Sequence, residues 1–502
     1  VSGQPLAIVD LGSNSARLVV YDVEPGCGFR LADEIREVVR LGEGLATHGE
    51  MLPRNMLTAV TALSSFADYA RATGLPGLRI MATSAVREAS NGAQLLEQVR
   101  ALGLDVEVLS GTEEAELGVV AVANCSSLRD AWVVDLGGGS AQVSRMRDRQ
   151  FACGEAYPLG ALRCTEAFLR SDPVRRAEVR ELEAEVDMRL GSALEAMRSE
   201  QLPLIAMGGT VRNLARAVAE SRGHDWPLLH GFLLDRESLE DLTERLVALR
   251  VRARGKVPGI NSYRADTILA GAVVFRQILR RSGAPQLRIS GVGVREGALF
   301  RTLMPPPHLL EDVTAFSVQN LQWQYPQPAA HVERVRYLAG RLFEELRPLH
   351  RLGDGDRALL DAAARLHDIG KAISYRDHAR HGAYLVAGSP LFGFRQREQA
   401  LVSLLVRYHR SGKPKVKAYR SLLGAGDHDR LLHLAACLRL AEFLDRTRSD
   451  RVVDVRARVD HRTVRLDLVC DGEASVELWE ATRQRGMFRR AFDRKLQVRI
   501  VD

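Results

Sequence analysis

The sequence holds no apolar stretch approaching the ~20 residues a helix needs to cross a bilayer, and no membrane partner is expected. Val1 to Pro5 carry no basic end leading into an apolar run, so no secretory signal is read there. Cysteine is scarce. The six (Cys27, Cys125, Cys153, Cys164, Cys437, Cys470) are scattered without a CxxC pair, which argues against a zinc knuckle and against a disulfide framework. Reduced thiols and a cytoplasmic setting are the expectation. Zinc fingers, an RNA-recognition signature and a basic heptad region are lacking as well. What the chain has in surplus is positive charge: 70 Lys and Arg against 63 Asp and Glu, a net +7. That balance suits an anionic partner such as nucleic acid, a membrane surface or polyphosphate, and does not choose among them.

At 502 residues the chain exceeds one ordinary core; a prior of ~150 residues per domain suggests about three. The first part alternates strands and helices. Leu6 to Asp10 is a short apolar run that ends in a carboxylate and a Gly-Ser-Asn-Ser turn, and Arg17 to Asp22 reads as the returning strand of a hairpin. Ala131 to Asp135 repeats this opening: "IVDLGSNS" recurs as "VVDLGGGS". Such a repeat suggests two related halves facing each other across a cleft. Two more strand-to-glycine turns follow, at Gly208-Gly209-Thr210 and at Gly291-Val292-Gly293-Val294-Arg295. Pro305-Pro306-Pro307 is the clearest linker. Beyond it helical patterns dominate, with Val332, Val335, Leu338, Ala339, Leu342 and Phe343 on one face. From Arg451 short alternating runs return and read as a small tail module.

The glycine loops carry the chemistry. A strand that ends in Asp and turns through Gly and Ser exposes successive backbone N–H groups, a nest for phosphate oxygens. One such loop alone reads first as a plain tight turn; two with the same flanking strands favour paired phosphate binding. Asp10 and Asp135 at the strand ends suit a divalent metal beside those phosphates. Glu113, Glu114 and Glu116 open a helix, where they serve either the positive helix end or a water-activating role. Arg87, after the hydroxyl-rich Thr83-Ser84, offers forked donors to an anion or is merely solvated.

Six segments in one order, "DLGSNSARL", "ATSAVREASN", "LSGTEEAELG", "VVDLGGGSAQV", "AMGGTVRNLA" and "SGVGVREG", closely resemble the exopolyphosphatase/guanosine-pentaphosphate phosphatase (Ppx/GppA) family over roughly residues 5 to 304. The resemblance implies an α/β fold of two actin-like, sugar-kinase-like (ribonuclease H-like) lobes around a cleft. An all-α HD-like domain and a small α+β tail would follow. The expected boundaries are 1–121, 122–304, 309–449 and 450–502. It implies Glu114 as catalytic base and Asp135 as the acidic residue near water and metal. Gly12, Ser13 and Asn14 would form the first phosphate loop and Gly137, Gly138, Gly139 and Ser140 the second. Arg17 and Arg87 would pair with phosphate oxygens, and Arg264 is a weaker candidate. Mg²⁺ or Mn²⁺ would be held by Asp10, Asp135 and the residue at 142, where the family commonly has Glu and this chain has Gln142. Gln keeps an oxygen ligand but loses a charge. The implied substrate is inorganic polyphosphate, with pppGpp or ppGpp as the rival ligand in the same cleft and a homodimer as the assembly. A non-catalytic phosphate or alarmone sensor, or a kinase of the same superfamily, is the reading from another class. Arg407, Arg410, Lys413, Lys415, Lys417 and Arg420 form a run without an intervening acid, and Arg483, Arg485, Arg489 and Arg490 a second cluster. They suit a polymer track or a solvated surface.

The helical remainder resembles the HD phosphohydrolase superfamily through His331, His367-Asp368, His381, His409 and Asp445, with His378 competing with His381 for its position. The resemblance implies a second divalent metal there; the alternative is a structural helical domain whose histidines are only hydrogen-bonded.

Overall fold

The structure, a computed structural model, describes residues 3–501. It divides into two compact units. One takes the described residues up to His224 together with Leu229–Val313; the other takes Asp225–Leu228 and everything described from Thr314 onward.

The first unit holds two sheets. In the first, β1 (Gln4–Leu11), β2 (Ser15–Glu24) and β3 (Gly28–Val38) form an antiparallel meander, and β4 (Leu78–Ala82) and β5 (Val106–Val108) add in parallel, giving the order β3-β2-β1-β4-β5. In the second, β6 (Ala131–Leu136), β7 (Ala141–Arg147) and β8 (Gln150–Tyr157) repeat the meander. The strand β9 (Leu204–Met207) and a later one, β11 (Gln286–Ile289), add in parallel, and β10 (Leu233–Asp235) closes the edge antiparallel. The short sequence repeat is therefore a repeat of register. Asp10 stands opposite Arg17 across the first hairpin, and Asp135 stands opposite Gln142 across the second.

The buried strands read as near-continuous apolar runs because helices cover them: Ile8, Val9, Val133 and Val134 are all at most 2% exposed. The helix Gly111–Cys125 is buried on nearly every side from Glu114 onward. The expected boundary at 121/122 falls inside this helix, which packs against β6, β7 and β8 of the second sheet. Gly208 turns the chain out of β9 at φ +97; a Cβ there would sit 2.6 Å from the Leu136 carbonyl oxygen, so only glycine fits.

The second unit is a set of helices with a three-stranded sheet at its end. The helix Ala329–Glu345 buries the stripe read from the sequence, Val332 through Phe343, at no more than 3% exposure. The sheet order is β12 (Val452–Val459), β13 (Thr463–Cys470), β14 (Lys495–Val501). Val455, Leu466, Phe488 and Leu496 of this region share one hydrophobic core with Leu342, Leu405 and Leu434 of the helices. The tail expected as a separate module at 450–502 is thus part of the helical unit's core. Trp226 belongs to the same core and stacks edge-on against Tyr419 at 5.0 Å.

Candidate functional site

The two Asp-Gly-Ser turns meet. A Cβ on Gly139 would stand 2.6 Å from both Ser13 Oγ and Ser84 Oγ, and one on Gly138 would stand 3.2 Å from Ser13 Cβ. Only side-chain-free residues let the second turn approach the first this closely. Ser13 and Ser84 hydroxyls lie 3.0 Å apart beneath the contact.

Around this junction lies a cavity of about 150 Å³. Of the expected residues, Asp10, Gly12, Ser13, Asn14, Arg17, Glu114, Asp135, Gly137, Gly138, Ser140, Gln142 and Arg264 line it. Gly139 lies in the contact between the turns instead. Gln142 is buried and donates its Nε2 to Ser140 Oγ at 2.8 Å.

Which glutamate faces the cavity is decided by the helix cap. Ser110 Oγ accepts from the Glu113 amide at 3.1 Å, and Glu113 Oε2 accepts from the Ser110 amide at 2.8 Å. This capping box uses Glu113 at the helix start and leaves Glu116 exposed. Glu114, at the next helical position, turns inward at 9% exposure. Arg87, expected to pair with phosphate, is placed differently. It donates Nη1 to the Leu109 carbonyl at 2.6 Å and reaches Glu114 Oε2 at 3.4 Å. Its guanidinium is thereby tied to the protein, and it lines a neighbouring cavity of about 530 Å³ rather than the first one.

Burial pushes the Glu114 carboxyl up to about 8, with Arg87 opposing and Asp135 and Asp10 adding to the rise. Burial likewise raises Asp135 to about 6 and lifts Asp10 above the ordinary carboxylate range, in both cases against neighbouring guanidiniums. Four guanidiniums (Arg17, Arg212, Arg264, Arg295) line the cavity beside the three carboxylates. Burial pushes Arg212 down to about 10 and lowers Arg17 and Arg264. Burial pulls at Arg295 too, but Glu296 and Asp10 outweigh it and hold that group above its usual value. With four guanidiniums against three carboxylates whose charged forms burial disfavours, positive charge prevails and the cavity suits an anion.

Arg212 and Arg295 were not singled out from the sequence. Both follow the third and fourth strand-to-glycine turns: Arg212 sits in the helix Gly209–Ser221 after β9, and Arg295 in the helix Val294–Leu303 after β11. The signal was a cation close behind each glycine turn. Arg212 Nη1 donates to the Gly291 carbonyl at 2.8 Å, tying the two turns together.

In the helical unit, His331, His367, Asp368 and His409 come together, all at most 4% exposed. His378, not His381, completes the group: its Nε2 lies 3.2 Å from His409 Nε2 and 3.4 Å from Asp368 Oδ1. His381 lies one turn further along the helix His378–Gly388, and its Nδ1 is buried without a hydrogen-bond partner. Asp445 accepts from His331 Nδ1 at 2.7 Å, so it orients that ring instead of joining the centre. Glu442, one turn earlier on the same helix and not expected from the sequence, takes the central place, 3.3 Å from His331 Nε2 and 3.2 Å from His367 Nε2. Burial pulls at His331, but Asp445 and Glu442 outweigh it and raise the ring to about 9; burial alone dominates His409 and pushes it down to about 3.

Two actin-like α/β lobes that bring paired phosphate-type turns to one basic cavity define a class of phosphate-handling proteins, and the comparisons with known proteins fall within it. Residues 19–305 match the sequence model of the Ppx/GppA phosphatase family, and residues 313–475 match that of Ppx/GppA phosphatase, domain III. The chain belongs to the Ppx/GppA phosphatase family, which makes it a phosphohydrolase by family. Among solved structures, an exopolyphosphatase from Cytophaga hutchinsonii is 24% identical with a TM-score of 0.56, over 60% of this chain and 98% of that one. An exopolyphosphatase-like protein is 25% identical with a TM-score of 0.53, over 60% and 100%. The Aquifex aeolicus family member is 25% identical with a TM-score of 0.49, over 59% and 96%. No helix among the described residues is long and apolar enough to cross a membrane.

Proposed function

We propose that the chain is an exopolyphosphatase, hydrolysing the terminal phosphoanhydride bond of inorganic polyphosphate. The observation that carries this reading is the convergence of the turns after Asp10 and Asp135, the Glu114 carboxylate and four guanidiniums on one cavity. The backbone N–H groups of the turns cradle the terminal phosphate. Arg17, Arg212, Arg264 and Arg295 neutralise its oxygens and those of the next phosphate. Glu114, held by Arg87, orients a water and takes its proton as the water oxygen bonds to phosphorus. The bond from that phosphorus to the bridging oxygen breaks, and the chain leaves one phosphate shorter.

Asp10 and Asp135 are half-buried carboxylates whose proton affinity burial raises, Asp135 with a further rise from Asp10, and with the Gln142 oxygen they offer a hard donor set suited to Mg²⁺ or Mn²⁺. When bound, such an ion supplies charge neutralisation at the phosphate oxygens. Gln142 in place of an acid weakens that hold without removing it.

Long-chain polyphosphate, pppGpp and ATP offered separately with Mg²⁺ test the reading. Phosphate is expected fastest from polyphosphate. Preference for pppGpp would reassign the chain to guanosine-pentaphosphate hydrolysis, and no release from any of the three would leave a sensor. Glu114→Gln is expected to lower kcat about 10²- to 10⁴-fold while polymer binding persists; normal turnover would remove Glu114 as base.

A further inference from the structure

We propose that the orthophosphate cut from the polymer leaves through the second cavity, the one lined by Arg87, and not through the opening that admits the polymer. This exit rests on the exopolyphosphatase reading above. In an in-line displacement the attacking and leaving oxygens lie on opposite sides of phosphorus. Glu114 orients the water, so the polymer departs on the side away from Glu114. The freed orthophosphate is then enclosed between Glu114 and the shortened chain. While that chain stays bound it fills its own entrance, and the way left is on the Glu114 side.

A cavity lies there. It measures about 530 Å³ against about 150 Å³ for the first. Thr112 and Glu155 in its lining are exposed, so it opens to solvent. The two cavities share Ser140. Glu114 lines the first, and its Oε2 lies 3.4 Å from Nη1 of Arg87, which lines the second. The partition beside Ser140 is thus a contact between two side chains. Another wall is tightly packed: a Cβ on Gly111 would stand 2.6 Å from Ala156 Cβ, so the helix start rests directly on β8. The part with room to move is the long Arg87 side chain.

The charges suit passage more than retention. Glu88 in this lining is paired with Arg163, whose Nε donates to the Gly139 carbonyl at 2.9 Å, and it lies 4.0 Å from Arg87. One lining arginine beside Glu88 and Glu155 is far from the four guanidiniums of the first cavity. It gives a polymer no track and an orthophosphate only a transient partner. Once Glu114 has taken the proton of the attacking water, its charge no longer holds Arg87. Arg87 is then free to turn aside with the phosphate and to return when Glu114 gives up the proton.

The test plugs this cavity reversibly in the full chain. Thr112 lines the second cavity and not the first. Thr112→Cys is labelled with a benzyl methanethiosulfonate and given Mg²⁺ and long-chain polyphosphate. Total phosphate is read after acid quench, and free phosphate is read in solution. The first cleavage is expected at the unlabelled rate, as a burst of about one phosphate per chain. Free phosphate should lag behind total phosphate, and kcat should fall about 10-fold. Reductant removes the label and should restore the rate, which shows that the fold is intact. The unaltered chain treated in the same way controls for the exposed Cys27 and Cys153. Glu155→Trp, from another wall and without a label, should give the same lag. Unchanged kcat with no lag in both proteins, or a slowed first cleavage without a burst, would overturn the exit. An unlabelled chain that frees no phosphate from polyphosphate would remove the exopolyphosphatase reading and the exit with it, a failure seen before any label is attached.

Discussion

Glu114 and Arg87 are coupled through one contact of 3.4 Å, and the coupling sets when the carboxylate can act. A base works only when deprotonated. Burial holds Glu114 at about 8 against the lowering effect of Arg87, so kcat/KM for polyphosphate is expected to rise with pH and level off above about 8. Arg87→Ala removes a cation that favours the charged form. The rising limb then moves to higher pH, and activity at pH 7 falls more than activity at pH 9; pH–rate profiles of the two proteins check this. An unmoved limb would show that Arg87 does not tune Glu114. At this scale the sequence went part of the way. Glu114 came from a resemblance, since three glutamates at a helix start are equivalent on propensity alone. The position of Arg87 depends on a carbonyl, that of Leu109, which only the folded chain brings to it. His378 and His381 were likewise indistinguishable by type; the direction of one helix turn chose between them.

The helix Gly111–Cys125 carries the proposed base, and its first turn is fixed by the reciprocal bonds of Ser110 and Glu113. Ser110→Ala removes the acceptor of the Glu113 amide and is expected to cost about 1 kcal/mol, read as a lower melting temperature. Because Glu114 is the next residue, the frayed turn should also lower kcat, though far less than Glu114→Gln does. Equal stability and equal kcat would show that the cap positions nothing. Strands of this kind were legible from local pattern: β1 and β6 contain the apolar runs Leu6 to Asp10 and Ala131 to Asp135. The sheet this helix serves was not legible, because a helix that is apolar on nearly every side gives no sign of which sheet it covers; it packs on the second.

The molecule as a whole is two units, and in the second the terminal sheet and the helices share a core. Leu466 of β13 is fully buried in it. Leu466→Ala is expected to destabilise that unit by about 2–5 kcal/mol. The loss should reach the helix Asp427–Leu444 as well as the sheet, seen as a common fall in amide-exchange protection. Faster exchange confined to residues 452–501 would mean that the tail unfolds alone. The alternating runs after Arg451 predicted strands, but alternation says which face is apolar and not what that face covers.

The amino-acid order by itself determined the elements, the duplicated Asp-Gly-Ser hairpins and the family, because strand ends, glycine turns and apolar period are local properties of the chain. Tertiary structure decided which glutamate points inward, which arginines line the cavity, and that Glu442 and His378 join the histidine cluster. Those outcomes depend on contacts between residues far apart in sequence, such as Gly139 against Ser13 and Asp368 against His409. Direction and burial arise only when distant segments exclude water together.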